Sequence, residues 1–336
     1  MSHRKLAVVG LGGTIAMRPV ETGAVPSLAA EDLVQLLPES AAALIHHVEN
    51  FRRVPGAHLS LKDLVELAAR IKSLDDAGTA DGFVVIQGTD TIEETVFALE
   101  ILYDGAAPVV VTGAMRHAGQ VSADGAANIA NALYLAAAPA SAGRGAMVCF
   151  NDQVHAAWAV QKTAATNPAA FSSPGFGPVG HVIEGNARFL AETNRWPCVS
   201  SNPGGVGPAK VAIVTASLGE GPELLDAVDK ANYKGLVVQA TGAGHLPASW
   251  VEPLAALAAR IPVVLATRVS SGPILAETYA FPGSESDLLS RGLISAGFLC
   301  ASKARILLSM ALGAGLRTSL ISGLFSDSLT CLQVDL

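Results

Sequence analysis

Four short runs rich in valine and isoleucine, Leu6 to Val9, Phe83 to Ile86, Val109 to Thr112 and Met147 to Phe150, leave this chain few folds to choose from. None alternates apolar with polar residues, so each reads as a strand covered on both faces. Between them the apolar residues take a helical period: Leu61, Leu64, Val65, Ala68 and Ile71 share a face, and Ser60 stands where an N-cap belongs. Strands alternating with helices form βαβ units around a mostly parallel sheet. From Glu192 to Lys210 the periodicity fails while Pro197, Pro203, Gly204, Gly205, Gly207 and Pro208 accumulate, which predicts a linker over 192–210. Strands resume at Val211 to Val214, Leu236 to Gln239 and Val263 to Ala266, followed by a helix from Ser302 to Gly313. The expectation is a two-domain α/β protein. A larger N-terminal domain (1–191) carries a mostly parallel, doubly wound sheet, and a smaller α/β domain spans 211–336. With 336 residues, half of them hydrophobic, the chain can bury both cores.

Charge and cysteine usage remove several functions. The formal net charge is −7 and no run of Lys or Arg could track a phosphate backbone, which argues against a nucleic-acid partner. The four cysteines, Cys149, Cys198, Cys300 and Cys331, stand far apart with no C-x-x-C pair, so they read as reduced core residues rather than as a zinc site or a disulfide framework. Arg4 and Lys5 precede an apolar stretch from Leu6 to Ile15, but Gly10, Gly12 and Gly13 break it and no cleavage pattern ends it. The apolar region Ile306 to Leu316 is too short to span a bilayer. A cytoplasmic protein without a membrane partner is expected.

In an open parallel sheet, ligands gather beyond the carboxyl ends of the strands. Three such turns carry unusual polar residues: Gly10-Leu11-Gly12-Gly13-Thr14-Ile15-Ala16, Gln87-Gly88-Thr89-Asp90-Thr91 and Gly113-Ala114-Met115-Arg116. The first invites a dinucleotide reading and hence an oxidoreductase, but Ile15 stands where the third glycine of G-x-G-x-x-G belongs. No P-loop, H-E-x-x-H or G-x-S-x-G occurs. What remains is Thr14 and Thr89 on neighbouring turns, with Asp90 beside one of them. A threonine hydroxyl attacks an amide only when a base takes its proton. Lys162 is the candidate base, tuned by Asp90. Plainer roles stand beside each of these. Thr14 could cap a tight turn. Asp90 with Glu93, or Thr91 with Glu94, matches a capping box. Lys162 could be a solvated amine, and Arg116 and Asp124 could make structural polar contacts.

Taken together, Gly12-Gly13-Thr14-Ile15-Ala16, Gly88-Thr89-Asp90-Thr91-Ile92-Glu93-Glu94-Thr95, Thr112-Gly113-Ala114-Met115-Arg116 and Ser122-Ala123-Asp124-Gly125 resemble the bacterial-type L-asparaginase (asparaginase/glutaminase) family in order, spacing and strand context. Phe150-Asn151-Asp152, Gln161-Lys162-Thr163, Phe171-Ser172-Ser173-Pro174-Gly175 and Ala301-Ser302-Lys303-Ala304-Arg305 carry the resemblance over nearly the whole chain. It implies an amidohydrolase that converts L-asparagine to L-aspartate and ammonia through a threonine-bound β-aspartyl ester, with no metal or cofactor. Thr14 takes the position of the nucleophile, and Thr89, Asp90 and Lys162 those of the second catalytic group. Gly13, Gly88, Thr89 and Ala114 surround the reacting amide, and Asp90 binds the substrate's α-ammonium group. The family's usual homotetramer or homodimer, with sites shared between subunits, is expected.

The sequence departs from the family's pattern at the rim. Met17 to Leu28 holds no tyrosine to orient the threonine. Ala57 and His58 stand where a serine and a glutamine usually bind the α-carboxylate. Gly242-Ala243-Gly244 lacks the partner-chain asparagine, with His245 close by, and Glu277, Thr278 and Tyr279 lie where the partner-chain acid is expected. Tyr279 of a neighbouring subunit is the candidate for the missing phenol. Alternatives are a broader or shifted amidase acting on L-glutamine or a D-amino acid amide, and a catalytically weak amino-acid sensor on the same scaffold.

Overall fold

A computed structural model of the chain describes residues 4–13, 17–20, 23–26, 30–199 and 207–325. Thr14 and Cys331 lie outside the described residues, and of Met17 to Leu28 only a backbone ribbon pairing Met17–Val20 with Gly23–Pro26 is described. The chain divides into two compact units, with the boundary between Cys198 and Val199.

The first unit is built on eight strands: β1 (Leu6–Gly10), β2 (Ile45–Asn50), β3 (Gly82–Ile86), β4 (Val109–Thr112), β5 (Ala146–Phe150), β6 (Gln153–Ala156), β7 (Gly180–Ile183) and β8 (Asn186–Phe189). Their order across the sheet is β8-β7-β6-β5-β4-β3-β1-β2. From β2 to β5 every pairing is parallel, and from β5 to β8 every pairing is antiparallel. The four apolar runs are the central strands β1, β3, β4 and β5, buried along their whole length. Helices α1 (Leu61–Asp76) and α2 (Ile92–Leu102) pack one face of them through Leu67, Ile71, Val96 and Leu99. Helix α3 (Gly125–Ala137) lies against β3, β4 and β5 but shares nothing with that cluster, so it covers the other face. The sheet is doubly wound, as expected.

The antiparallel half depends on two tight reversals. Asn151 and Asp152, both at positive φ, join β5 to β6, and Glu184 and Gly185 join β7 to β8 in the same way. Two consecutive left-handed residues give the turn whose twist matches that of paired strands. The segment after β8 is held to this unit. Arg195 donates to the carbonyls of Gly105 and Tyr103, and the Trp196 N–H donates to buried Glu100. Burial pushes the Glu100 carboxyl up, against the pull of Arg195 and two backbone N–H groups.

The second unit carries a parallel sheet of β9 (Val211–Thr215), β10 (Gly235–Ala240), β11 (Val263–Thr267) and β12 (Ile294–Ser295), in that order. Helix α6 (Ala301–Gly313) packs on β9, β10 and β11, with α4 (Glu223–Lys230) and α5 (Val251–Ala258) completing the layers. Among the described cysteines only Cys149 is a core residue: Cys198 is exposed and Cys300 half-buried, which corrects the expectation for those two.

Helix α1 begins with a full capping box. The Ser60 hydroxyl accepts the Asp63 N–H, the Asp63 carboxylate accepts the Ser60 N–H, and Arg52 Nε donates to Asp63 at 2.8 Å. The hydrogen bond from Ser60, then that from Arg52, hold the Asp63 carboxyl down to about 2. A depressed carboxyl stabilises the fold above its unfolded value near 3.8 and loses that contribution as pH falls through about 2. Asp63→Ala is therefore expected to cost about 1–2 kcal/mol at pH 7, after allowing for solvent screening. The gap between the urea midpoints of the two proteins should close as pH is lowered from 4 towards 2. A gap independent of pH would show that the carboxylate charge contributes nothing.

Candidate active site

In the strand order β2-β1-β3-β4 the chain turns from one side of β1 to the other, and the carboxyl ends of β1 and β3 flank that switch point. The crevice formed at such a point is where open α/β sheets bind ligands. The turns after β1, β3 and β4 are locked together there by backbone. Leu11 N donates to Ile86 O at 2.8 Å, and Gln87 N to Thr112 O at 3.0 Å.

Glycine makes the closest approaches possible. Gly13, at φ +93°, lies so near Gly88 that a Cβ on it would sit 2.0 Å from the Gly88 nitrogen. A Cβ on Gly113 would meet the Gln87 carbonyl oxygen at 2.4 Å. Gly12 faces the backbone of Val54 in the same manner, with a hypothetical Cβ 2.8 Å from its nitrogen. The space that a Cβ on Gly12 or Gly13 would take is thus filled by protein backbone.

Thr89 and Asp90 form a single 3-10 turn with Thr91, ahead of α2. Thr89 is buried, whereas the Asp90 side chain is 67% exposed. Lys162 reaches them from a short hairpin in which Gln161–Lys162 pairs with Phe171–Ser172. Val160, Ala170 and Phe171 anchor that hairpin in the core, and the Phe171 ring lies 4.9 Å from that of Phe150. Lys162 Nζ donates to Thr89 Oγ1 at 3.0 Å and to Asp90 Oδ1 at 2.8 Å. The amine is largely buried, so it is no solvated surface group. Neither capping box is formed: no side chain caps the 3-10 turn or α2. Thr91 instead donates to Gly56 O and accepts from Gln87 Nε2. Glu93 turns to the Lys162 N–H, which it accepts at 2.5 Å.

The third turn is held by Asp124, which accepts the N–H groups of Met115 and Arg116 at 3.0 and 2.9 Å. Asn128, one helical turn later, donates to Gly113 O and to Asp124, and accepts the Asn151 N–H. Asp124 and Arg116, which donates to Ser122 O, have the structural roles expected of them. Ala114 is buried. Ala57 and His58 lie exposed on the 3-10 turn Gly56–His58, whose first residue rests on Gly88. Sequence reasoning singled out neither Gln87 nor Asn128, and took Glu93 only for a cap. The i, i+4 spacing of Asp124 and Asn128 on the first turn of α3 was a usable signal.

In the second unit Tyr279 is 43% exposed, with its ring edge-on to His245 at 4.7 Å and near Phe281. Fully buried Glu285 accepts the N–H groups of Thr278 and Tyr279 and faces His245 Nε2 at 3.2 Å. Burial pushes the Glu285 carboxyl up, but the N–H groups of Tyr279, Glu285 itself and Thr278, with His245, together hold it below its ordinary value. Among the described residues no group of His, Cys, Asp and Glu could hold a metal ion, and no helix is long and apolar enough to cross a membrane.

Residues 5–195 match the family model for the asparaginase N-terminal domain, and residues 210–325 that for the glutaminase/asparaginase C-terminal domain. A probable L-asparaginase of Deinococcus radiodurans is 36% identical over 93% of this chain and 94% of its own length. An L-asparaginase of Bacillus licheniformis is 30% identical over 92% of this chain and 96% of its own. Among solved structures, a probable cytoplasmic L-asparaginase from Campylobacter jejuni superposes with a TM-score of 0.85 at 30% identity, covering 96% of this chain and 99% of that one.

Proposed function

Because the chain belongs to the asparaginase family, we propose that it is an L-asparaginase, hydrolysing the side-chain amide of L-asparagine to L-aspartate and ammonia in the cytoplasm. The observation that carries this proposal is Lys162 Nζ within hydrogen-bond reach of both Thr89 Oγ1 and Asp90 Oδ1 at the switch point of the sheet. Thr14 follows Gly13 directly, one residue beyond the point where the first turn rests on Gly88. In the proposed reaction its hydroxyl adds to the amide carbon, and the amide nitrogen leaves as ammonia after protonation. Water then hydrolyses the β-aspartyl ester and restores the hydroxyl. Thr89 and Lys162 relay the proton of the attacking group, and the Asp90 carboxylate stabilises the ammonium that forms on Lys162. Backbone groups around Gly13, Gly88, Thr89 and Ala114 offer donors to the developing oxyanion. The exposed carboxylate of Asp90 is open to a substrate ammonium, and Ala57 and His58 take the carboxylate end.

The active form we propose is a homodimer or homotetramer in which Tyr279 of a neighbouring copy supplies the phenol absent from Met17 to Leu28. Tyr279→Phe should then lower kcat by about tenfold or more. A variant with full kcat would remove Tyr279 from the mechanism. The proposal as a whole is tested by measuring ammonia released from L-asparagine, L-glutamine and D-asparagine by the purified protein, with calorimetric titration of each. L-Asparagine should be turned over fastest. Release fastest from another of the three would identify a shifted amidase, and binding without release an amino-acid sensor.

A further inference from the structure

Three residues from one stretch of chain hold Lys162 at both of its ends. Thr89 and Asp90 accept from its amine, and Glu93, on the first turn of α2, accepts from its backbone N–H. The hairpin does not use that N–H. Its backbone bonds next to Lys162 run instead from Thr163 N to Ala170 O, which leaves the lysine N–H pointing at α2. Lysine is a flexible four-carbon stem with a point charge at its tip, so fixing the tip alone leaves the stem free to swing. With the backbone end also fixed, and from the same stretch of chain that supplies Thr89 and Asp90, the amine and its two acceptors share one frame. Glu93 does this in place of capping its own helix, since α2 has no side-chain cap.

We propose that Glu93 is a positioning residue for the hydrolytic reaction: by accepting the Lys162 N–H it sets the distance from the lysine amine to Thr89. The assignment rests on the function proposed above. Misplacing a reacting group by about 1 Å can cost about a hundredfold in rate. Glu93→Ala should therefore lower kcat for asparagine by about ten- to a hundredfold, with KM changed less than about twofold. Its freed lysine should also react faster with methyl acetimidate, read at Lys162 by peptide mass spectrometry. Glu93→Gln keeps an oxygen that can accept the same N–H and should restore most of kcat and the slow amidination.

Wild-type kcat and wild-type Lys162 reactivity in Glu93→Ala would overturn the assignment. So would a glutamine variant as impaired as the alanine one, because charge and not the acceptor would then matter. Should the alanine variant fail to fold, Glu93→Asp, whose carboxylate is too short to reach, takes its place with the same expected losses. If the wild-type protein releases no ammonia from asparagine, the proposed function fails. The amidination rates of the variants then still decide whether Glu93 sets the pose of Lys162.

Discussion

Replacing Thr14 with alanine is expected to bring ammonia release from L-asparagine to the assay background, a loss of at least about a thousandfold. Without the hydroxyl there is no covalent path, and what the remaining groups could do for a free water is small by comparison. The substitution removes one oxygen and one methyl group and leaves Gly12 and Gly13 in their places, so the thermal midpoint should barely move. Thr14→Ser keeps the oxygen and should retain part of the activity. Turnover by the alanine variant above a few per cent of wild type would mean that another group attacks the amide.

Lys162→Met carries the second large effect, a fall in kcat of about a hundred- to ten-thousandfold. Methionine matches the length of the stem and can lie along the same wall, so the hairpin anchored by Val160 and Phe171 has no cause to move. What disappears is the nitrogen 3.0 Å from Thr89 Oγ1. The Asp90 carboxylate loses its partner, yet it is exposed and remains hydrated at little cost. Binding of asparagine, measured by titration on the inactive protein, should therefore stay within severalfold of wild type. Lys162→Gly should recover some activity when a small primary amine is added. A methionine variant with more than a tenth of wild-type kcat would remove Lys162 from proton transfer.

The central strands of both units are visible in the chain because burial on two faces forces polar residues out of them. The segments that escaped notice lack that mark. Strand β2 reads Ile45-His46-His47-Val48-Glu49-Asn50, and as an edge strand it can carry polar residues that find partners locally: Arg70 donates to Glu49, which also meets His47. Strands β6, β7 and β8 are four residues each, too short for periodicity to register, and β7 and β8 are partly exposed. Their sign was in the turns. Asn151-Asp152 is a pair that tolerates two left-handed residues in succession.

The cluster of Thr89, Asp90 and Lys162 was legible in a different way. Thr89 and Asp90 are adjacent in sequence, but Lys162 lies 72 residues beyond Asp90, and no local pattern could bring it there. Its place came from the resemblance of ordered motifs. Glu93 shows the limit of local rules: Asp90 and Glu93 have the spacing of a capping box, and a long-range acceptor role took precedence over it.

The contact between Gly13 and Gly88 also bears on how such a pocket can diversify. At the proposed site the two turns meet main chain against main chain, so no side chain at Gly13 or Gly88 can adjust their spacing by degrees. A Cβ on Gly13 would collide with Gly88 and spread the two turns, disturbing the proposed site for every amide at once. Under the proposed function, adaptation to a longer or mirror-image substrate then falls to positions such as Ala57 and His58, where a new residue meets water and not backbone.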